Sequence, residues 1–295
     1  MSYELSIHRR KESPVHTATR LALDAKGRLA TYTTYSPNTD YFDITPDTQP
    51  AILLANGWTA GRKVMGGIAT HATQRGREEV VFDHQRETDG EEHPEDHKKE
   101  TLKAVVVDYL DVFGGDGVDI VGHSEGGINS TKYAVDDIES GEGRVKSLTL
   151  VAPAGVLDLG AWALVGRGIK EIAAVVNPKH ARHIVRLAKS SPEVRDYVRK
   201  NFKLTVAEIA AIAGPESQIL ADLQDMDAIE FPVGVIGCDY DKFFPGQALE
   251  EEIAGTVPFV RLETNHVDWL VDRRIQDDVY RIQQQIAHSA LSRAA

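Results

Sequence analysis

Residues 121–127 read Val-Gly-His-Ser-Glu-Gly-Gly, which contains the pattern Gly-x-Ser-x-Gly centred on Ser124. An apolar, strand-like run precedes it, and residues 128–135, which are compatible with a helix, follow it. This order of strand, tight turn and helix is the setting of a nucleophile elbow, in which a sharp turn projects a serine hydroxyl away from the sheet. Gly122 and Gly126 provide the small neighbours that closely spaced strand and helix backbones require. A glycine-rich turn that contains a serine by chance is the alternative, and the flanking strand and helix favour the nucleophile.

A serine hydroxyl is a weak nucleophile at neutral pH, so Ser124 needs a base, and the base needs a carboxylate that orients it. In chains with a nucleophile elbow the order is serine, acid, histidine. Residues 231–237 are apolar and β-branched and read as a buried strand, and Asp239 and Asp241 lie on the loop that leaves it. Both are candidate acids, and a pair of solvated loop aspartates is the alternative interpretation.

The candidate base is His266. Residues 259–264 alternate like a strand, His266 follows them, and the amphipathic run from Arg273 to Leu291 predicts a terminal helix. Of the 11 histidines, His266 alone stands between a late strand and the last helix. His288 falls inside that helix, where we expect it at the surface. The position of His266 relative to Ser124 therefore predicts a general base.

An acyl-transfer site also needs two fixed donors for the negative charge that develops on the carbonyl oxygen, and losing one costs roughly 3 kcal/mol. One predicted donor is the backbone N–H of Glu125, directly after the nucleophile. The other follows the strand at residues 50–55, where Gly57 lets the chain turn sharply and the N–H of Trp58 is the candidate. The indole of Trp58 is expected to pack in the core or to line the pocket.

Four segments, residues 56–58, 122–127, 237–245 and 265–266, together resemble the α/β-hydrolase family, in particular its serine esterase and lipase-like branch. They extend over nearly the whole chain. The resemblance implies an α/β fold with a mainly parallel, doubly wound sheet and an inserted helical lid. It also implies a hydrolase that uses a catalytic triad and no cofactor.

The resemblance favours Asp241 as the acid, because this residue stands four positions before Pro245, where related enzymes carry theirs. Asp239 remains the alternative. The implied triad is then Ser124, Asp241 and His266. A serine nucleophile argues against the dehalogenase branch of the family, which uses aspartate there.

Two segments depart from the family pattern. The usual His-Gly before the oxyanion donor is Asn56-Gly57 here, and the loop at residues 80–83 lacks the Gly-x-Gly-x-Ser run that many members carry. Both departures leave the substrate subfamily open.

Strand-like segments that alternate with helix-like segments predict a mainly parallel sheet covered on both faces. Residues 17–35 predict an antiparallel hairpin. The strands expected after it are 50–55, 78–83, 117–122, 146–151, 231–237 and 258–263. No strand is predicted between residues 152 and 229. We therefore assign residues 1–155 and 230–295 to the core and residues 156–229 to the helical lid.

Composition limits the class of protein. The chain has 295 residues, of which 42% are hydrophobic, which suffices for a large core with an inserted lid. Its single cysteine, Cys238, excludes an internal disulfide framework and is expected to be a small buried side chain. The sequence has no apolar run of about 20 residues and no secretory signal in its first residues, so we expect a cytoplasmic protein without a membrane span. The net charge of −12 opposes nucleic-acid binding, and the oligomeric state is left open.

Two charged segments remain. Residues 170–203 carry nine Lys/Arg and three Asp/Glu, which indicates either a solvated helix face or a surface that attracts an anionic substrate, a carboxylate product or a membrane. Residues 83–100 include His93 and His97, which could share a helix face and bind a metal. Because Pro94 argues against a settled helix there, we predict a solvated loop and no metal site.

These features predict a serine hydrolase that cleaves a carboxylic ester, with a small-molecule acyl ester as its partner. A thioesterase, lactonase, amidase or acyltransferase would use the same residues, because the pocket and lid choose the leaving group and the acceptor. A binding protein that keeps the fold and a vestigial triad, or a partner-docking role for the basic lid, are the alternatives outside catalysis.

Overall fold

The computed structural model describes residues 15–26, 28–36, 50–57, 62–74, 77–83, 94–161, 163–164, 166–167 and 209–293. One eight-stranded sheet runs through this part of the chain in the order β1-β2-β4-β3-β5-β6-β7-β8. The strands are β1 (His16–Leu23), β2 (Leu29–Ser36), β3 (Ala51–Ala55), β4 (Glu79–Asp83), β5 (Val118–His123), β6 (Val145–Val151), β7 (Val233–Cys238) and β8 (Phe259–Leu262). The β1–β2 hairpin joins β4 in antiparallel register, and every pair from β4 to β8 is parallel.

The central strands are apolar because helices cover them on both faces. All residues of β3, β5 and β7 are buried, as continuous apolar runs in a parallel sheet require. The described helices are α1 (Arg62–Thr73), α2 (Pro94–Phe113), α3 (Glu125–Ser140), α4 (Leu220–Ala228), α5 (Gly246–Ile253) and α6 (Arg273–Arg293).

Alternate residues of each strand point to opposite faces, so the core divides into two clusters. In one, Met65 of α1 and Val279 of α6 pack with Leu54 of β3. In the other cluster, apolar side chains of α2, α3, α4 and α5 pack against the opposite face of the sheet. Leu53 of β3 and Ile120 of β5 belong to that face. The sheet is therefore a layer between two sets of helices.

The structure confirms the predicted fold class. The hairpin and the six later strands lie within about two residues of their predicted positions, and the terminal helix begins at Arg273 as expected. Cys238 is buried at the end of β7. Residues 168–208, which contain most of the predicted lid and its basic segment, lie outside the described residues. Near the C-terminal end of the predicted lid, α4 packs against α3 and β7.

One local prediction was wrong. Pro94 does not prevent a helix, because α2 begins at this residue. Proline is well accommodated in the first turn, where its missing N–H would have had no intrahelical partner. His93 lies outside the described residues. Lys98, which we placed in a solvated loop, is instead a buried residue of α2.

Candidate active site

Ser124 lies on a strained turn between β5 and α3. Its φ of 55° and ψ of −123° are unusual for a residue with a side chain, and such backbone strain typically costs about 1–3 kcal/mol. Backbone hydrogen bonds hold the turn. The N–H of Ser124 donates to the carbonyl of Val151 at 3.1 Å, and its carbonyl accepts from Gly127 at 2.9 Å and Ala154 at 3.0 Å. The strain and its support agree with a nucleophile elbow.

The two glycines of the motif are required by close backbone contacts. A Cβ atom at Gly122 would clash with the Oγ of Ser130 and would lie 2.9 Å from the carbonyl oxygen of Gly126. A Cβ atom at Gly126 would clash with the carbonyl of Ala55, at the end of β3. The turn at Ser124 is therefore packed directly against the neighbouring strand, which explains the Gly-x-Ser-x-Gly spacing.

His266 and Asp241 form a buried pair. The distance from Nδ1 of His266 to Oδ2 of Asp241 is 2.7 Å, and the two residues are 8% and 1% exposed. His266 lies between β8 and a short 3-10 helix, Asp268–Leu270. The side chain of Asn265 accepts hydrogen bonds from the N–H groups of Val267 and Asp268 and so fixes the start of that helix.

Asp241 is held as a carboxylate. Its Oδ1 accepts the N–H groups of Phe243 at 2.7 Å and Phe244 at 3.0 Å. Burial alone would raise the pKa of Asp241. The positive charge that His266 carries when protonated, its hydrogen bond and these two N–H groups outweigh burial and lower the pKa of Asp241 below its usual value. The carboxylate is therefore ionised at neutral pH, as an orienting acid must be.

Asp239, the other candidate acid, has a different partner. Its Oδ1 accepts a hydrogen bond from Nε of Arg261 at 2.6 Å, in an ion pair at the protein surface. The two aspartates of the loop after β7 thus separate into one that contacts His266 and one that contacts an arginine.

His123, the residue before Ser124, links the turn after β5 to the loop that carries His266. Its Nε2 lies 2.9 Å from the carbonyl oxygen of His266, and the two rings are 4.8 Å apart between centroids. This contact brings His266 to the same end of the sheet as Ser124. No role for His123 was predicted from the sequence.

Gly57 brings the loop after β3 to the nucleophile. A Cβ atom at Gly57 would lie 2.8 Å from the Cβ of Ser124 and 2.9 Å from the carbonyl oxygen of His123, so only glycine fits there. Trp58, the predicted second oxyanion donor, lies outside the described residues. The first predicted donor, Glu125, is the first residue of α3.

A buried ion pair stands directly behind the elbow. Nζ of Lys98 on α2 contacts Oε1 of Glu125, and the two side chains are 5% and 1% exposed. This pair was not predicted from the sequence, in which Lys98 reads as part of a loop and only the backbone of Glu125 has an expected role. Two buried opposite charges offset each other's desolvation, so each depends on the other.

Replacing Lys98 with methionine should destabilise the protein by about 3–5 kcal/mol, because the Glu125 carboxylate would remain buried without its partner charge. The double variant Lys98→Met/Glu125→Met should recover most of this loss, since no charge is left buried. Urea unfolding of the singles and the double measures the coupling between the two positions.

Lys99→Met is the matched control, because the neighbouring Lys99 pairs with Asp136 nearer the surface, at 2.8 Å. Its expected cost is below about 1 kcal/mol. Additive effects of Lys98→Met and Glu125→Met would contradict a coupled ion pair.

The described residues bear on three further expectations, which concern a metal site, a membrane span and His288. In the part of the chain that the structure describes, no three His, Cys, Asp or Glu side chains are grouped as metal ligands, and the side chain of His97 is not described. No helix among the described residues has the length and apolar character needed to cross a membrane. His288 is exposed on α6, as predicted.

No protein-family model and no curated protein sequence matches the chain. Solved structures do. Brefeldin A esterase, a bacterial homologue of human hormone-sensitive lipase, is 17% identical, with 98% of this chain and 81% of that one covered and a TM-score of 0.58. An esterase of the hyperthermophilic archaeon Pyrobaculum calidifontis is 16% identical, with coverages of 94% and 85% and a TM-score of 0.62.

A third similar structure, proline iminopeptidase of Mycobacterium smegmatis, is 14% identical, with coverages of 92% and 100% and a TM-score of 0.60. At these identities the similarity concerns the fold. The chain has the α/β-hydrolase fold, as its sequence predicted.

Proposed function

We propose that the protein is a serine hydrolase that cleaves a carboxylic ester through a triad of Ser124, His266 and Asp241. The observation that carries the proposal is the buried hydrogen bond of 2.7 Å between Nδ1 of His266 and Asp241. His123, which precedes Ser124 on its strained turn, contacts the backbone of His266 and so links the pair to the serine. The names of the similar structures, which include two esterases, support the same class of reaction.

The tautomer of His266 follows from its partner. An ionised carboxylate only accepts hydrogen bonds, so Nδ1 carries the proton and Nε2 of the neutral ring is free of one. In the proposed first step, Oγ of Ser124 attacks the acyl carbon while Nε2 takes the hydroxyl proton. The Asp241 carboxylate then stabilises the imidazolium.

The remaining steps release the alcohol, hydrolyse the acyl-enzyme and return His266 and Ser124 to their starting protonation states. The oxyanion is stabilised by the N–H of Glu125 and, as we propose, by that of Trp58. The bond to the leaving alcohol breaks as Nε2 returns the proton to it. Water then attacks the acyl-enzyme, with His266 again as base, and releases the acid and the free serine. This chemistry needs no cofactor.

The test is hydrolysis of p-nitrophenyl esters from acetyl to long acyl chains, with Ser124→Ala as the blank, combined with labelling by a fluorophosphonate probe. We expect turnover that depends on Ser124 and stoichiometric labelling of that residue. The preferred acyl length would report the size of the pocket.

Other outcomes identify the alternatives. Labelling of Ser124 without ester turnover would replace ester hydrolysis by a thioester, lactone or amide reaction, each testable with its own substrate. An absence of both labelling and turnover would reject the hydrolase and favour a ligand-binding protein.

A further inference from the structure

We infer that His123 is a positioning residue that holds the backbone of His266 in register with the adjacent nucleophile, an inference that rests on the proposed function. The observation is the hydrogen bond of 2.9 Å between Nε2 of His123 and the carbonyl oxygen of His266. His123 is bonded covalently to Ser124. One side chain therefore connects the proposed nucleophile to the proposed base across 143 residues of sequence.

The direction of this hydrogen bond is fixed by its acceptor. A carbonyl oxygen only accepts, so Nε2 of His123 carries the hydrogen and donates it. The neutral ring then has an unprotonated Nδ1, which faces Gly57: a Cβ atom there would lie 3.4 Å from it. His123 thus spans the space between Gly57, in the loop after β3, and the loop that carries His266.

Ring packing reinforces the contact. The His123 ring lies 4.8 Å from that of His266 and 5.7 Å from that of Trp269, between centroids. His123 is only 3% exposed, so neighbouring side chains restrict its rotamers. A donor on a restricted side chain can hold a loop residue in place, which a mobile surface donor cannot.

His123 is also unsuited to be a competing base. Burial, with the nearby charge of His266, lowers the pKa of His123 to about 3. The ring stays neutral through the range in which His266 would work, so it neither takes the serine proton nor adds a second positive charge beside the imidazolium. Its function is then geometric.

The base has two attachments with distinct tasks. Asp241 holds the ring of His266 through Nδ1, and His123 holds its backbone through the carbonyl. Without the second, the backbone of His266 is less constrained, so the ring moves relative to Oγ of Ser124 and its hydrogen bond to Asp241 is broken part of the time. A displacement of about 1 Å can cost up to roughly 100-fold in rate, so a single lost tether should lower kcat measurably.

The test compares His123→Gln with His123→Met, which have nearly the same length and volume. Glutamine keeps a donor near the position of Nε2, and methionine has none. With the preferred p-nitrophenyl ester, and rates divided by the fraction of enzyme that a fluorophosphonate labels, we expect Met to lower kcat about tenfold with KM changed less than twofold. Gln should restore kcat to within about threefold of the parent protein.

Equal kcat values for Gln and Met would overturn the inference, because packing alone would then account for His123. Thermal unfolding of both variants is measured alongside, so that a change in stability is not read as a change in kcat. A second readout needs no turnover. The downfield NMR resonance of the His266 Nδ1 proton should persist in the His123→Gln variant and broaden in the His123→Met variant.

The two readouts separate the inference from the proposed function. If the parent protein has no Ser124-dependent turnover, the proposed function fails and the NMR comparison alone decides the positioning role. An unchanged resonance in Met would reject that role.

Discussion

Replacing Ser124 with alanine is expected to lower kcat by roughly 10⁴- to 10⁶-fold, because the acyl-enzyme can no longer form. His266→Ala should have a similar effect, since the hydroxyl of Ser124 would have no base. The two residues are proposed to act as a unit. The kcat of the double variant should therefore lie within about threefold of the kcat of the less active single variant. Steady-state hydrolysis of the preferred ester at enzyme concentrations adjusted to each variant measures all three.

The control is His288→Ala, which removes an exposed histidine of α6 and should leave kcat within about twofold of the parent value. Ser124→Ala should also keep its thermal stability, or gain some, because the strained turn has no need of the hydroxyl. Substantial turnover by Ser124→Ala or His266→Ala would refute the triad. A double variant whose loss is the product of the two single losses would show that the residues act independently.

The strained turn at Ser124 could be predicted from sequence because its constraints are local. A strand, two glycines around a serine and a helix occupy one continuous segment, and Gly122 and Gly126 are required by contacts that recur wherever the turn forms. The position of His266 could be predicted for a different reason, the order of strands and helices along the chain. Parallel strands end at one edge of a sheet, so the loops after β5, β7 and β8 meet there.

The contacts that link separate segments could not be predicted. The pairing of Lys98 with Glu125 depends on how α2 packs against α3, and no spacing in the sequence encodes it. The bond from His123 to His266 spans 143 residues. Pro94 was misread because proline blocks a helix only in its interior, and the sequence did not show where α2 begins.

The choice between the two aspartates shows the same limit. They stand two residues apart on one loop, and only the path of that loop decides which reaches His266. The loop follows a path in which the N–H groups of Phe243 and Phe244 donate to Asp241. Arg261 of β8 donates to Asp239 instead. Mutation of each aspartate can test which of them, if either, acts in the proposed reaction.

Asp241→Asn is expected to lower kcat by up to about 10⁴-fold, and the reason lies in the orientation of the side chain. Oδ1 of Asp241 accepts two backbone N–H groups, so the asparagine oxygen must occupy that position and its NH2 group must face His266. Nδ1 of His266 would then have to accept, and the proton would move to Nε2. That tautomer cannot take the proton of Ser124.

Asp239→Asn is the matched control on the same loop. It removes a surface ion pair with Arg261, worth at most about 1 kcal/mol, and should leave kcat within about twofold of the parent value. The measurement is kcat for both variants across pH 5–9. Since the pKa of Asp241 is lowered, its carboxylate stays charged in that range, and the acid limb of kcat/KM in the parent protein should report His266 instead.

A large loss in Asp239→Asn with an active Asp241→Asn would reverse the assignment. Comparable small losses in both would remove the carboxylate from the mechanism, because an acid that sets the tautomer of His266 cannot be replaced by an amide without cost. The two isosteric substitutions remove the charge that faces an imidazole in one case and a guanidinium in the other. Their contrast therefore tests whether the buried bond of 2.7 Å from His266 to Asp241 is part of catalysis or only of the fold.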